Sequence, residues 1–553
     1  MKKSLFFLAL LLCFLQANAQ QTVGVFTRTN EAEDGYVLFA PMVSDTTYLI
    51  DKCGDLIHTW KANLFPGAAA YFLPDGTLLR AASVGNTIFN VGGNGGRLTR
   101  FSWNSNNLWS YVISNDTECQ HHDMCYMPNG HILTIVWQYK TPAQMLQAGR
   151  DPNNSTNNLW PEKIVELVPV GNNDATIAWE WNVWDHLVQH YDASKDNYGV
   201  IANHPELVDV NLFPMAQASS GDWLHANSID YNPQLDEIVI SIHNISEIWV
   251  IDHSTTTAEA ATHSGGLRNK GGDLLYRWGN PQNYGAGTAA DQQFFLQHNA
   301  HWIQPGLPDS GKLMVFNNGD ARPGGNYSSV DILNTPVDGA GNYTLVTGQA
   351  YGPAAPEWSY VAPNPTDFFA QNISGAQRMS NGNTLICSGP QGEFFEIDSA
   401  KNIIWKYISP VTLNGIVSQG TVPTTNPVFR SPQYAPDYAG FTGLTLTPGA
   451  PIEHNPLPSV CGLNVRPVTS RSGTITAVNP FDSKITLQAW QDIPQAGIYL
   501  TDVTGRTIQQ WHNQNLVSGQ AVSLDVNGQL PAGVYMLQVK NAGSISALKL
   551  VKE

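Results

Sequence analysis

In three places an imidazole stands seven residues ahead of a tight-turn residue: His122 before Asn129 of Pro128-Asn129-Gly130, His225 before Asn232, and His298 before Pro305 of Gln304-Pro305-Gly306. Each turn closes a short run of strand-forming residues and a second run follows, which reads as a β-hairpin with histidine at its open end. A supersecondary unit repeated in this way cannot bury its apolar face alone and must stack on, or close around, its neighbours. If the hairpins close radially, His122, His225 and His298 meet at the axis.

The repeat extends beyond these three. Each unit has an inner hairpin and an outer strand that tends to end in tryptophan, from residues 35–60 through units closing near Trp109, Trp181, Trp278, Trp358 and Trp405. Charged residues make up only 13% of the chain and there are 48 Gly, 34 Pro and 16 Trp, which suits short strands and tight turns better than long amphipathic helices. The expected fold is all-β: a six-bladed β-propeller over residues 20–408, whose radial closure leaves only short edges. Trp179, Trp181, Trp249, Trp278 and Trp405 are assigned to packing between blades.

An insertion at about 139–220 carries a weak helical period near 184–191, where His186 and His190 would share a helix face. Leu187 and Gln189 stand where zinc-protease motifs need glutamate, so this stretch reads as a lid or pocket wall. Residues 1–19 read as a secretory signal, with Lys2 and Lys3, an apolar run and Ala17-Asn18-Ala19. Removing it takes the formal charge from −17 to −19, which speaks against a nucleic-acid partner, and leaves no transmembrane segment. Cys119 and Cys125 flank the His121-His122 pair and are candidates either for a local disulfide or for buried free thiols.

Residues 409–472 are rich in Pro, Gly and Thr and read as a covering arm and linker. Residues 473–553 read as a small C-terminal β-sandwich. There, Asn479-Pro480-Phe481, Asp502-x-x-Gly505-Arg506 and Gly533-Val534-Tyr535-x-Leu537 resemble the C-terminal sorting domain of type IX secretion in Bacteroidetes. The resemblance implies passage through the periplasm, engagement of the type IX machinery, and a secreted or cell-surface destination.

Three further motifs, Asp222-Trp223-x-His225-x-Asn227-Ser228-Ile229, Gln297-His298-Asn299 and Phe316-Asn317-Asn318-Gly319-Asp320-x-Arg322, resemble the bacterial aryl-sulfate sulfotransferase family. The resemblance implies a propeller that moves a sulfuryl group from an aryl sulfate donor to a phenolic acceptor through a sulfohistidine, and it assigns His225, His298 and Arg322 to the sulfate site. Sulfuryl transfer asks for an Arg fork and for imidazoles that exchange protons, with no metal or organic cofactor. His122, His225, His298 and Arg322 are the expected catalytic residues; His121, Asn227, Asn299, His301, Arg378 and Glu393 are the expected substrate contacts, with Trp223 and Trp302 flanking a phenolic ring. Arg378 either enters the channel or pairs at its rim. The nucleophilic histidine expected in the family's last blade has no counterpart in residues 386–396. Either His122 or His301 accepts the group, or transfer is direct, or the site does other chemistry, with Glu393 available as a base. Two other classes compete: a metal-dependent hydrolase or lyase, and a non-catalytic surface binder.

Overall fold

A computed structural model describes residues 21–154, 158–212, 220–458, 461, 468–472, 474–502, 505–526, 530–541 and 544–552; the signal segment lies outside them. The chain divides into two compact units, Met1–Val460 and Cys461–Glu553.

The first unit is a β-propeller. Its inner hairpins and their outer strands form antiparallel four-stranded sheets, of which the simplest runs Ala226–Asn232, Glu237–Ile242, Glu247–Asp252 and Tyr276–Trp278 from the axis outward. The second sheet starts at Pro66–Phe72, the third at Glu118–Tyr126, the fifth at His298–Trp302 and the sixth at Gly375–Arg378.

Chain closure uses both ends of the unit. Strand Gly24–Arg28 pairs outside Ile403–Ile408 of the last sheet. The first sheet takes its innermost strand, Gln433–Tyr434, from the Pro- and Gly-rich segment after that sheet, paired with Tyr36–Phe39. Lys52 clasps the seam: its Nζ donates to Glu396 Oε2 at 2.6 Å and Gln433 Oε1 at 3.0 Å and lies 3.8 Å from the Trp405 ring. The tryptophans bridge sheets, Trp179 Nε1 donating to Thr255 Oγ1 and Trp405 Nε1 to the Lys52 carbonyl.

The inner strands break at one common end. Pairing skips between Thr134↔Met124 and Ile135↔His121, between Ala226↔Ile242 and Ser228↔Ser241, and between His298↔Phe316 and His301↔Met314. His122, His225 and Asn299 adopt φ of 50°, 56° and 55° there. Bulges of this kind re-aim side chains, and non-glycine residues hold such angles only where the surroundings enforce them.

One expectation changes and one alternative is decided. Residues 184–191 are not helical: Val183–Asp185 is a single 3₁₀ turn, and Leu187–Val188 pairs in parallel with Val208–Asp209. His186, Leu187, Val188 and Gln189 are consecutively buried, which no one helix face allows, while His190 is exposed. Cys119 and Cys125 are free thiols. They lie on one extended strand, six residues or about 20 Å apart, far beyond the roughly 7 Å that a disulfide spans.

The second unit is β-rich. Val468–Ser472, Ile475–Asn479, Lys484–Ala489 and Ala521–Asp525 form one sheet; Thr507–Leu516, Ile493–Asp502, Gly533–Asn541 and Ser544–Lys552 form the other. Ile485, Leu487, Ile498, Leu500, Leu537 and Leu550 share one core, so the sheets pack as a sandwich.

Candidate functional site

The bulges gather the imidazoles. The rings of His122 and His225 lie 4.6 Å apart, those of His225 and His243 5.2 Å, and those of His243 and His298 5.0 Å. Regular strand alternation would send His121 to the face opposite His122. The left-handed backbone at His122 instead brings the two together, with Nδ1 atoms 3.0 Å apart. Gly93 permits this, since a Cβ there would sit 1.9 Å from His122.

Burial holds His121 and His122 well below the usual histidine range and pushes the Glu162 carboxyl well above its own. Glu162 Oε2 lies 2.7 Å from His121 Nε2 and the His121 and His122 Nδ1 atoms share one hydrogen, so the protonation of Glu162 sets whether His122 carries its hydrogen on Nδ1 or on Nε2. Asn244 turns its amide nitrogen to the carbonyls of Asp222 and Trp223, so its oxygen accepts from His243 Nδ1–H. His298 donates from Nδ1 to Asn318 Oδ1 at 2.8 Å and accepts the Ile373 N–H at Nε2.

His225 differs from all of these. Burial alone would lower its pKa, but Asp222, with Oδ2 2.5 Å from Nδ1, outweighs burial and raises it above the ordinary value. Burial and His225 together lower His243 to about 4. Among the described residues no partner is found for Nε2 of His122, His225 or His243. The mouth therefore presents the Nε2 atoms of His122, His225 and His243, with His225 partly open to solvent.

Beneath the imidazoles lies Arg430, from the segment that supplies the first sheet's innermost strand. Its Nη1 pairs with Asp123 Oδ2 at 2.6 Å and with Tyr71 Oη, and its Nη2 donates to the Asn227 carbonyl at 3.0 Å. One guanidinium thus ties the second, third and fourth sheets at the axis. On its far side, toward the hairpin turns, is a cavity of about 750 Å³ lined by Tyr71, Cys125, Asp230, Asn299, His301 and Tyr434 among others. His122, His225 and His298 do not line it.

The other expected site residues lie elsewhere. Arg322 stands on the loop at the mouth end of the fifth sheet, donating to Ser329 Oγ at 3.3 Å, with Cζ 4.2 Å from the Tyr327 ring centroid and 5.1 Å from that of Phe295. Arg378 pairs with Asp309 at 3.0 Å at the turn end, which is the rim alternative. Glu393 pairs with Lys406 at 2.9 Å on an outer strand. Asn227 donates to the Gln297 carbonyl and Asn299 accepts the Ala376 N–H, so both strap neighbouring sheets. His301 faces the far cavity, its Nδ1 at the Asn299 carbonyl. Trp223 is wholly buried against Arg150.

His243, Asp222 as a partner, and Arg430 were not picked out as site residues from the sequence. His243 had a signal: it directly follows the second strand of its sheet, as Asn318 and Gly389 follow theirs. Arg430 had none, because the segment that carries it, just before Gln433–Tyr434, lies outside the repeat.

The propeller's bulged inner strands thus gather His122, His225, His243 and His298 at one end of the channel. Residues 27–412 match the model of the Arylsulfotransferase (ASST) family, and the chain belongs to that family, whose activity is sulfotransferase-like and directed at small molecules. Residues 479–553 match the secretion system C-terminal sorting domain, which marks the chain for export and a secreted or cell-surface destination through that machinery. No curated protein matches the chain. Among solved structures it is similar to a protein of unknown function from Bacteroides caccae (11% identity, 72% of this chain and 98% of that one, TM-score 0.38). It is also similar to virginiamycin B lyase from Staphylococcus aureus (11% identity, 72% and 87% covered, TM-score 0.31). Among the described residues no helix is long and apolar enough to cross a membrane.

Proposed function

We propose that this protein moves a sulfuryl group from an aryl sulfate to a phenol at the channel mouth, with His225 as the acceptor in the covalent step. The observation that carries this is the Asp222–His225 pair: Nδ1–H is fixed by a carboxylate at 2.5 Å and the Nε2 lone pair is free. An imidazole oriented in this way is an activated nucleophile. His122 lies with its ring 4.6 Å from that of His225, and His301 lies on the other side of Arg430.

In the first step the His225 Nε2 lone pair forms a bond to sulfur as the ester S–O bond breaks. That bond's electron pair leaves with the phenolate, which takes a proton from solvent. The ring becomes cationic, and Asp222 stabilises that charge where it develops. In this reading Glu162 is protonated, so His122 keeps Nε2–H and donates it to a sulfuryl oxygen, while the His243 lone pair receives the acceptor's hydroxyl. In the second step the acceptor oxygen bonds to sulfur, the N–S pair returns to Nε2, and the acceptor's proton passes to solvent. Asp123 neutralises Arg430, which therefore supports the wall rather than carrying the anion.

The test is release of p-nitrophenol from p-nitrophenyl sulfate with and without a phenolic acceptor, with acid-quenched samples mapped for a labelled sulfuryl group. Acceptor-dependent release with label on the His225 peptide is expected. Label on His122 would move the nucleophile, and release that ignores the acceptor would overturn transfer in favour of hydrolysis.

A further inference from the structure

Outside the channel, His186, His263 and Asp273 each offer one ligand atom, all within 4.8 Å of one another. His186 is wholly buried, its ring parallel to Trp181, with Nε2 2.8 Å from the Ala260 carbonyl. A carbonyl oxygen only accepts, so Nε2 carries a hydrogen and Nδ1 is the atom turned to Asp273. It lies 2.8 Å from Asp273 Oδ1, and His263 Nδ1 meets the same oxygen at 2.7 Å. Two imidazole nitrogens converging on one carboxylate oxygen form a donor set that a cation can complete.

We propose that the cation is a divalent transition metal, Zn²⁺ by its chemistry, held by His186 Nδ1, His263 Nδ1 and an Asp273 oxygen, with the remaining position toward solvent. Two imidazoles and a carboxylate are a borderline donor set of the kind that takes Zn²⁺. A ring whose second nitrogen donates to a backbone carbonyl is how metal-bound histidines are held in their tautomer and orientation. Gly272 makes this anchorage possible: a Cβ there would lie 2.0 Å from the Ala260 oxygen and 2.5 Å from His186 Nε2. Bonds of about 2.0–2.1 Å in tetrahedral geometry set donors roughly 3.3 Å apart. The contacts must therefore open by about 0.5 Å: His263, 61% exposed, opens its own by rotation, and the His186–Asp273 pair opens only if the Asp273 carboxylate turns.

The ion would staple the segment between the third and fourth sheets, which carries His186, to the loop before Tyr276–Trp278, which carries His263 and Asp273. It takes no part in sulfuryl transfer and stands or falls independently of that reading.

The experiment uses the chelator-treated, tag-free mature chain. Zn²⁺ binding is measured by calorimetry, Co²⁺ binding by visible absorption, and Tm is recorded with and without Zn²⁺. One site and a Zn²⁺-dependent rise in Tm are expected. Both should survive His225→Ala, which controls for the channel imidazoles. His263→Ala, at an exposed position that does not endanger folding, should weaken Zn²⁺ by at least the roughly 100-fold upper range for loss of an outer hydrogen-bond partner, and Asp273→Asn should do likewise. Absence of binding by the wild-type chain, or binding and Tm shift unchanged in His263→Ala, would overturn the proposal.

Discussion

Replacing Asp222 by Asn keeps the shape of the channel mouth and removes one charge. Asp222 Oδ2 lies 2.5 Å from His225 Nδ1, and both side chains are largely out of water. A hydrogen bond to a charged group in such a place contributes about 1.5–3 kcal/mol. At about 1.4 kcal/mol per decade, losing it in the transition state lowers kcat/KM by roughly 10- to 150-fold. Asn can also turn its amide N–H₂ toward Nδ1, which would place the ring hydrogen on Nε2 and block attack.

The pH dependence gives a second readout. The reactive ring must be neutral, so activity climbs as pH rises through the His225 pKa, which Asp222 holds above the ordinary value despite burial. Without the carboxylate burial dominates, and the acid limb moves to lower pH while the plateau falls. Stability follows the same linkage. A raised histidine pKa contributes stability that is fully present below the unfolded value of about 6.5 and lost as pH rises through the folded value. Asp222→Asn should therefore lower Tm mainly on the acid side. Steady-state profiles of the two proteins, with Tm recorded alongside, decide the matter. An unmoved acid limb together with kcat/KM within about twofold, a change worth only ~0.4 kcal/mol, would refute the role given to this pair.

Two further predictions concern the frame. Arg430→Leu should destabilise the first unit by about 3–5 kcal/mol, because it strands buried Asp123 without its partner; denaturant titration measures this, and Asp123→Leu added to it should recover much of the loss. His253, held between Asp236 and Glu166, is raised to about 9 although burial opposes it. Stability should fall by up to about 3 kcal/mol as pH rises from about 6.5 through 9, and His253→Gln should flatten that slope in pH-dependent melting.

The sequence by itself determined the β-class of both units, the order of the inner hairpins, the convergence of His122, His225 and His298, and the sorting domain. Each is written in local periods and offsets, a turn seven residues after a histidine or a strand pair around Gly505-Arg506, that survive without knowledge of partners. The bulges were not legible, because φ near 50° at His122 and His225 is enforced by neighbouring sheets rather than favoured by those residues. Without the bulge His121 faces away from His122; with it the two rings meet. His243 and Arg430 reach the axis from a second-strand end and from residues beyond the last sheet, and only closure of the ring shows which chain segment completes the first sheet. His186 is the clearest instance: sequence spacing coupled it to His190 across one helical turn, whereas tertiary structure pairs it with Asp273, 87 residues away. Leu187 and Val188 beside it are apolar and Gln189 is buried through hydrogen bonds to the Asp192 and Asp196 carbonyls, and a consecutively buried segment is held by what packs around it rather than by its own period.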